Sequence, residues 1–194
     1  MDDRFVLHVI RHLPTAGNEQ RKYIGWTDES IVATQAECLL PASFVVGSDL
    51  LRARQTAALY FPEATYEADS NWRECHFGDF EGKTYVDLEK DIDYCRWIDD
   101  PYNYAPRGGE SLIALEQRVL SALKRVSNGS VIVTHGGPIR LLLTRFSPIV
   151  KEFWSWSIPH GTGYRLEWAS EQAFEEGQRC TSLSAVLITA SGSM

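Results

Sequence analysis

The chain has 194 residues, 44% hydrophobic and 23% charged, enough apolar material for a sizeable buried core and the charge content of a soluble globular protein. A formal net charge of −7 argues against a surface built to grip nucleic acid or anionic lipid, so an anionic ligand has to meet a local basic pocket. No stretch has the layout of a signal peptide or the ~20 apolar residues of a membrane span, and Cys38, Cys75, Cys95 and Cys180 show neither a C-x-x-C pair nor regular spacing; the expectation is a cytoplasmic protein with reduced thiols.

In chain order, residues 5–10 (FVLHVI) form an apolar run that stops at Arg11-His12 and turns into Pro, Thr, Gly and Asn. A second strand-like run, SFVVGS at 43–48, leads into the helical segment LLRARQTAALYF at 50–61. Residues 69–110 differ in being rich in Trp, Tyr, Asp and Pro, and read as a cap-like excursion over the sheet of the kind that covers a site. The helix predicted over 111–126 carries Leu112, Leu115, Val119, Leu123 and Val126 along one stripe, with Glu116, Arg118 and Lys124 off it. SVIVTHGG at 130–137 is the third buried strand and GPIRLLLTRF at 137–146 its helix, while 161–168 and 182–190 read as strands finishing the sheet. Near-continuous apolar strands alternating with helices predict a three-layer α/β/α fold around a mostly parallel sheet, one domain over 1–194.

Ligands of such sheets bind outside the carboxyl ends of the strands. Those ends carry Arg11-His12, then Ser48 with Arg52, then Thr134-His135-Gly136-Gly137. Two imidazoles and two guanidiniums at one edge make an anion pocket, arginine being shaped to hold phosphate oxygens in parallel, and HGGPIR adds the N–H groups of a helix start. A phosphoryl group is the natural occupant. A neutral histidine there is able to act as nucleophile through a phosphohistidine, and a carboxylic acid from the excursion, Glu74 or Glu81, to protonate the leaving oxygen. Arg52 lies in the first turn of its helix, whereas Arg54 is rotated about 200° away. Arg140 either supports the pocket or pairs with a surface carboxylate. His8 and His76 read as polar residues of core or surface, and His160 in IPHGTG as turn chemistry before a strand.

RHLPTAGN, SDLLRARQTA, WRECHFGDFEG, GGES and VTHGGPIR, in this order across nearly the whole chain, resemble the histidine phosphatase superfamily, also called the phosphoglycerate mutase-like family. The resemblance implies that His12 is the phosphorylated nucleophile, that Arg11, Arg52 and His135 bind the phosphoryl group, and that Glu74 is the proton donor with Glu81 as runner-up. It also places Thr15, Asn18, Gly25 and Gly136 on the phosphate side, and implies no metal or organic cofactor. Leu13 stands where the family carries Gly, which implies a turn with negative φ or a reshaped pocket wall and an altered substrate fit. The run FGDFEGKTYVDL … GGESLIALEQRV looks more like the α-ribazole phosphatases of cobalamin synthesis than the mutases with their longer insertions. Trp97, Tyr102 and Tyr104 are candidates to pack an aromatic base, or to form the excursion's own small core. The function implied is a metal-independent phosphomonoesterase acting on a small phosphorylated metabolite, with α-ribazole 5′-phosphate the first candidate. Mutase-type phosphoryl transfer and catalysis-free binding of a phosphorylated ligand are the alternatives. Neither nucleic acid nor membrane is expected as a partner, and oligomeric state is not legible.

Overall fold

The first apolar run splits between two cores: Phe5, Leu7 and Val9 face one and Ile10 the other, the alternation of a strand covered on both sides. In the computed structural model, which describes residues 3–186 and 188–189, the elements in order are β1 (Phe5–Arg11), α1 (Ala16–Glu19), β2 (Glu37–Cys38), β3 (Phe44–Gly47), α2 (Leu51–Tyr60), β4 (Thr65–Ala68), α3 (Tyr85–Leu88), α4 (Ile92–Asp99), α5 (Leu112–Leu123), β5 (Val131–Thr134), α6 (Gly136–Phe146), β6 (Gly163–Trp168), α7 (Glu171–Glu175), β7 (Ser182–Val186) and β8 (Ile188–Thr189). The main sheet runs β4-β3-β5-β1-β6-β7, with β4, β3, β5 and β1 parallel, β6 antiparallel to β1 and β7 antiparallel to β6. Leu112, Leu115 and Val119 of α5 and Ile139, Leu142 and Leu143 of α6 close one face, and Ala53, Ala57 and Tyr60 of α2 the other. The three-layer, mostly parallel α/β/α architecture is the one the strand and helix alternation calls for.

The two short strands β2 and β4 carry no sequence signal, because neither is an apolar run: β4 is a largely exposed edge strand and β2 pairs with the equally short β8. The run at 182–190 divides, its first part joining the sheet as β7 and Ile188–Thr189 pairing with β2; Leu187 and Ala190 lie outside the described residues. Leu13 has a negative φ, Arg21 being the one non-glycine residue at positive φ among the described residues. Its side chain is buried in the α2-side core beside Tyr60.

Residues 69–110 fold into two single-turn 3₁₀ segments (Ser70–Trp72 and Gly78–Phe80), α3 and α4. Phe80, Leu88, Tyr94 and Trp97 form their own apolar cluster with Tyr23 and Phe77 against it. Trp97 is only 1% exposed there, Tyr102 packs on the main core, and Tyr104 is exposed. The three aromatics therefore do not form a platform for a base; burying an indole in a cluster of other rings is the stronger use of its surface. Among the described residues no helix is long and apolar enough to cross a membrane, and the four cysteines are unpaired thiols.

Candidate active site

Strand order and register bring the chemistry together. β3, β5 and β1 are neighbours, with Gly47 opposite Val133 and Arg11 opposite Thr134, so residues 48–52, 134–137 and 11–12 emerge side by side at one sheet edge. His12 is 2% exposed, and its Nδ1–H donates to its neighbour's carbonyl, Leu13 O, at 2.6 Å. That bond assigns the tautomer, and the Nε2 lone pair accepts from Arg52 Nε–H at 3.3 Å. Burial, then Arg52 and Arg11, push the His12 imidazole well below its ordinary range, so the ring is neutral at neutral pH.

Arg52 is fully buried and is held by backbone: its guanidinium donates to Thr27 O (2.9 Å), Gly25 O (2.6 Å) and Ile24 O (3.3 Å). Arg11 reaches the Ile158 carbonyl through Nη1, while its Nε is buried without a protein partner. Burial lowers Arg11 to about 10, partly offset by Glu74, which leaves it cationic. His135 lies 4.9 Å from His12 ring to ring, and neither of its nitrogens has a partner among the described residues. It is also the N-cap of α6 and makes no side-chain capping bond, so the helix start stays open. A Cβ on Gly136 would stand 3.3 Å from both Arg11 Cζ and Arg140 Nη1, so glycine there leaves room for two guanidiniums against the start of α6.

Glu74, 7% exposed, accepts from Gly137 N–H with both oxygens, at 2.9 and 3.1 Å. A Cβ on Gly137 would fall 2.2 Å from Glu74 Oε1, so this approach of carboxyl to helix start requires glycine. The backbone around Glu74 is clamped by Arg118, which donates to Asn71 O, Arg73 O and Glu74 O and pairs with Glu110. Trp26 Nε1–H adds a bond to Glu74 O at 2.9 Å, and its ring is flanked by His76 and by the Arg73 guanidinium, 4.6 Å each. Arg118 reads in the sequence as an ordinary residue off the apolar stripe, and the motif GGES, which carries its partner Glu110, is the only hint of this clamp. Glu81 is committed elsewhere: it accepts from Gly25 N, Trp26 N, Phe77 N and Thr27 Oγ1 at 2.8–3.1 Å, organising the loop whose carbonyls hold Arg52.

Other sequence candidates fall into place around this centre. Thr15 and Asn18 form the capping box of α1, with Thr15 N–H donating to Asn18 Oδ1 at 3.1 Å. Gly25 spends its N–H on Glu81, so it reaches the pocket through the carbonyl it offers Arg52. Ser48 is buried and its Oγ accepts from Leu50 N–H, closing the turn into α2. Arg54 is exposed. Arg140 makes no ion pair among the described residues; its Nε donates to Trp156 O at 3.0 Å, which is the pocket-supporting alternative. His8 faces Arg165 across the sheet, and His76 accepts from Gly78 N–H through Nδ1. His160 lies in the turn before β6, as the sequence suggests, and that turn also brings its ring within 5.2 Å of that of His12. Among the described residues no three His, Cys, Asp or Glu side chains gather to hold a metal ion.

Residues 7–179 match the family model of the histidine phosphatase superfamily (branch 1). The chain belongs to that superfamily. Phosphoglycerate mutase-like protein 4 of Arabidopsis thaliana is 30% identical over 176 residues, covering 74% of this chain and 72% of that protein. Glucosyl-3-phosphoglycerate phosphatase of Mycolicibacterium vanbaalenii is 27% identical over 173 residues, 76% of each. Among solved structures, TTHB049 of Thermus thermophilus superposes with a TM-score of 0.70 at 28% identity, over 92% of this chain and 98% of that one. The α-ribazole phosphatase of Shigella flexneri shares the fold, with a TM-score of 0.70 at 24% identity over 83% of this chain and 89% of its own. As a member of the histidine phosphatase superfamily the protein is an enzyme of phosphoryl chemistry, a phosphatase.

Proposed function

We propose that the protein is a phosphomonoesterase that needs no metal and works through a phosphohistidine on His12. The observation that carries this reading is a neutral imidazole whose Nε2 lone pair faces the Arg52 guanidinium, beside an Arg11 Nε and a His135 ring that lack protein partners. In the first step His12 Nε2 attacks phosphorus, the ester P–O bond breaks, and Glu74 gives its proton to the departing oxygen. Arg11, Arg52, His135 and the N–H of Gly136 meet the equatorial oxygens, which is where charge accumulates. Water attacks in line in the second step, its proton passes to Glu74, the P–N bond breaks, and His12 returns to its neutral form. Thr15 and Asn18 shape the phosphate-side loop, and Gly25 acts through Arg52.

The substrate class is a small phosphorylated metabolite. The α-ribazole 5′-phosphate ester remains a candidate through the shared fold of the ribazole phosphatases, and glucosyl-3-phosphoglycerate is a second through sequence similarity. Mutase-type transfer uses the same residues and differs in whether water or a substrate hydroxyl meets the phosphoenzyme. Four free thiols suit the reducing cytoplasm. The test is phosphate release from both esters and from 3-phosphoglycerate in the presence of chelator, with isomerisation of the last followed in parallel. Release that survives chelation is expected, and a preference of ~10²-fold, about 2.7 kcal/mol of differential transition-state binding, would mark a dedicated enzyme. Activity lost to chelator and restored by a divalent ion would overturn the reading, and isomerisation outrunning release would replace it with the mutase.

A further inference from the structure

We propose that His160 is a further catalytic residue whose Nε2 donates to an equatorial oxygen of the phosphoryl group carried by His12. The inference rests on the phosphohistidine reading above. His160 lies on a segment stitched directly to the nucleophile: Gly161 N–H donates to His12 O (3.1 Å), Arg11 N–H to Thr162 O (2.8 Å), and the Arg11 and Arg140 guanidiniums to Ile158 O and Trp156 O. Within the turn Thr162 Oγ1 closes onto Pro159 O at 2.6 Å, and Tyr60 OH donates to Gly161 O. Gly161 has φ +67°, and a Cβ there would stand 3.0 Å from Leu13 Cδ2 and 3.1 Å from Tyr60 OH. Leu13, at the position where the family carries Gly, thus helps to fix the turn that presents His160. A ring held this way is placed, not merely nearby.

The ring lies 5.2 Å from His12, close to the 4.9 Å that separates His12 from His135, so the nucleophile has two imidazoles as near neighbours. His160 Nε2 is buried and has no protein partner, as are Arg11 Nε and both nitrogens of His135. A buried polar nitrogen costs free energy unless something pairs with it. The charged side chains acting on the ring are Arg11, Arg52 and Arg140, all cations, and among the described residues none accepts from its Nε2. Burial and these cations drive His160 down to about 3, which keeps it a neutral donor that adds no fourth charge to the pocket. A partner that is anionic, carries several oxygens and sits against His12 is the transferring phosphoryl group. Equatorial oxygens are the ones that stay on the phosphoryl group throughout the transfer, so they are the acceptors assigned to His160 Nε2.

The experiment compares wild type, His160→Ala and His160→Asn for inhibition by orthovanadate and inorganic phosphate, for kcat and KM, and for melting temperature. Loss of the donor should weaken orthovanadate inhibition and lower kcat/KM by ~10²-fold in the alanine variant with little change in melting temperature, and the asparagine amide should recover much of both. Independent of any variant, the His160 ring nitrogen resonances should shift when phosphate saturates the wild-type protein. Alanine values within about two-fold of wild type, equal losses in both variants accompanied by lower melting temperature, or unmoved resonances would each overturn the assignment. Trapping of phosphate on His12 in the wild type separates this from the parent reading: without it the phosphohistidine itself falls, whereas with it only the role of His160 is at stake.

Discussion

At His12 one hydrogen bond and two cations set the chemistry. The Leu13 carbonyl accepts the Nδ1–H bond, and burial with Arg52 and Arg11 opposes protonation of Nε2, which keeps its lone pair as the acceptor of Arg52 Nε–H and needs no partner base. His12→Ala should leave no phosphoenzyme at any substrate concentration, measured by acid-labile phosphate incorporation. The two glutamates are separable by leaving group. Glu74→Gln should slow alkyl phosphates by ~10²- to 10³-fold while aryl phosphates, whose departing oxygen needs no proton, fall by less than ~10-fold. Glu81→Gln puts an amide against a loop that offers it only donors, so it should depress both ester types alike by loosening the carbonyls around Arg52. The reverse pattern would move the acid to Glu81.

Elements rather than single residues set the distances. The start of α6, which His135 leaves without a side-chain cap, commits the Gly137 N–H to Glu74 and leaves that of Gly136 for the site, and two glycines allow Arg11, Arg140 and the Glu74 carboxyl to approach it. On the excursion side, α5 reaches across with Arg118 to hold the backbone of residues 71–74, and Glu110 balances that charge while accepting His76 N–H. Arg118 and Glu110 side chains are 15% and 14% exposed, so removing one partner strands a mostly buried charge. Arg118→Met should cost about 3 kcal/mol in urea unfolding and, in the fraction that remains folded, bring on the same alkyl-over-aryl penalty as Glu74→Gln. Unchanged stability together with an unchanged leaving-group profile would show that the segment is held without this clamp.

Over the whole molecule, the neutral imidazoles make stability depend on pH. His8, His12, His135 and His160 all titrate below their ordinary 6.5, in each case chiefly through burial. Below 6.5 the unfolded chain takes up protons that the folded protein refuses, so stability is full above that value and falls as pH drops through it. Asp49 and Asp69 are held low by Arg73 and by Arg125 with Asn71, and such carboxylates withdraw stability only below about 4. Between pH 6.5 and about 5.5 the histidines dominate the change, the carboxylates Asp49, Asp69 and Glu167 adding theirs at lower pH. The fully buried pair His12 and His135 should give a slope approaching about 3 kcal/mol per pH unit, seen as a lower urea midpoint at pH 5.5 than at 7.5. Equal midpoints would mean that these rings are protonated in the fold.

Much of this was written in the chain. Apolar runs at 5–10, 43–48 and 130–137 become β1, β3 and β5 because strands buried on both faces must be apolar throughout, and the polar residues at their ends then share one sheet edge whatever the details of packing. Arg52 over Arg54 follows from helix geometry alone, one side chain being buried and the other exposed. The tertiary structure decided what depends on distance between segments far apart in sequence. It gave Glu81 to the backbone of residues 25–27 and Glu74 to the start of α6. It put Trp97 in an aromatic cluster and not beside a ligand, and it made Arg118 a clamp. It carried His160 across to the His12 ring. Hydrophobic periodicity is a local property that a sequence displays directly, whereas the partner of a carboxylate or an imidazole is fixed only when chain segments meet.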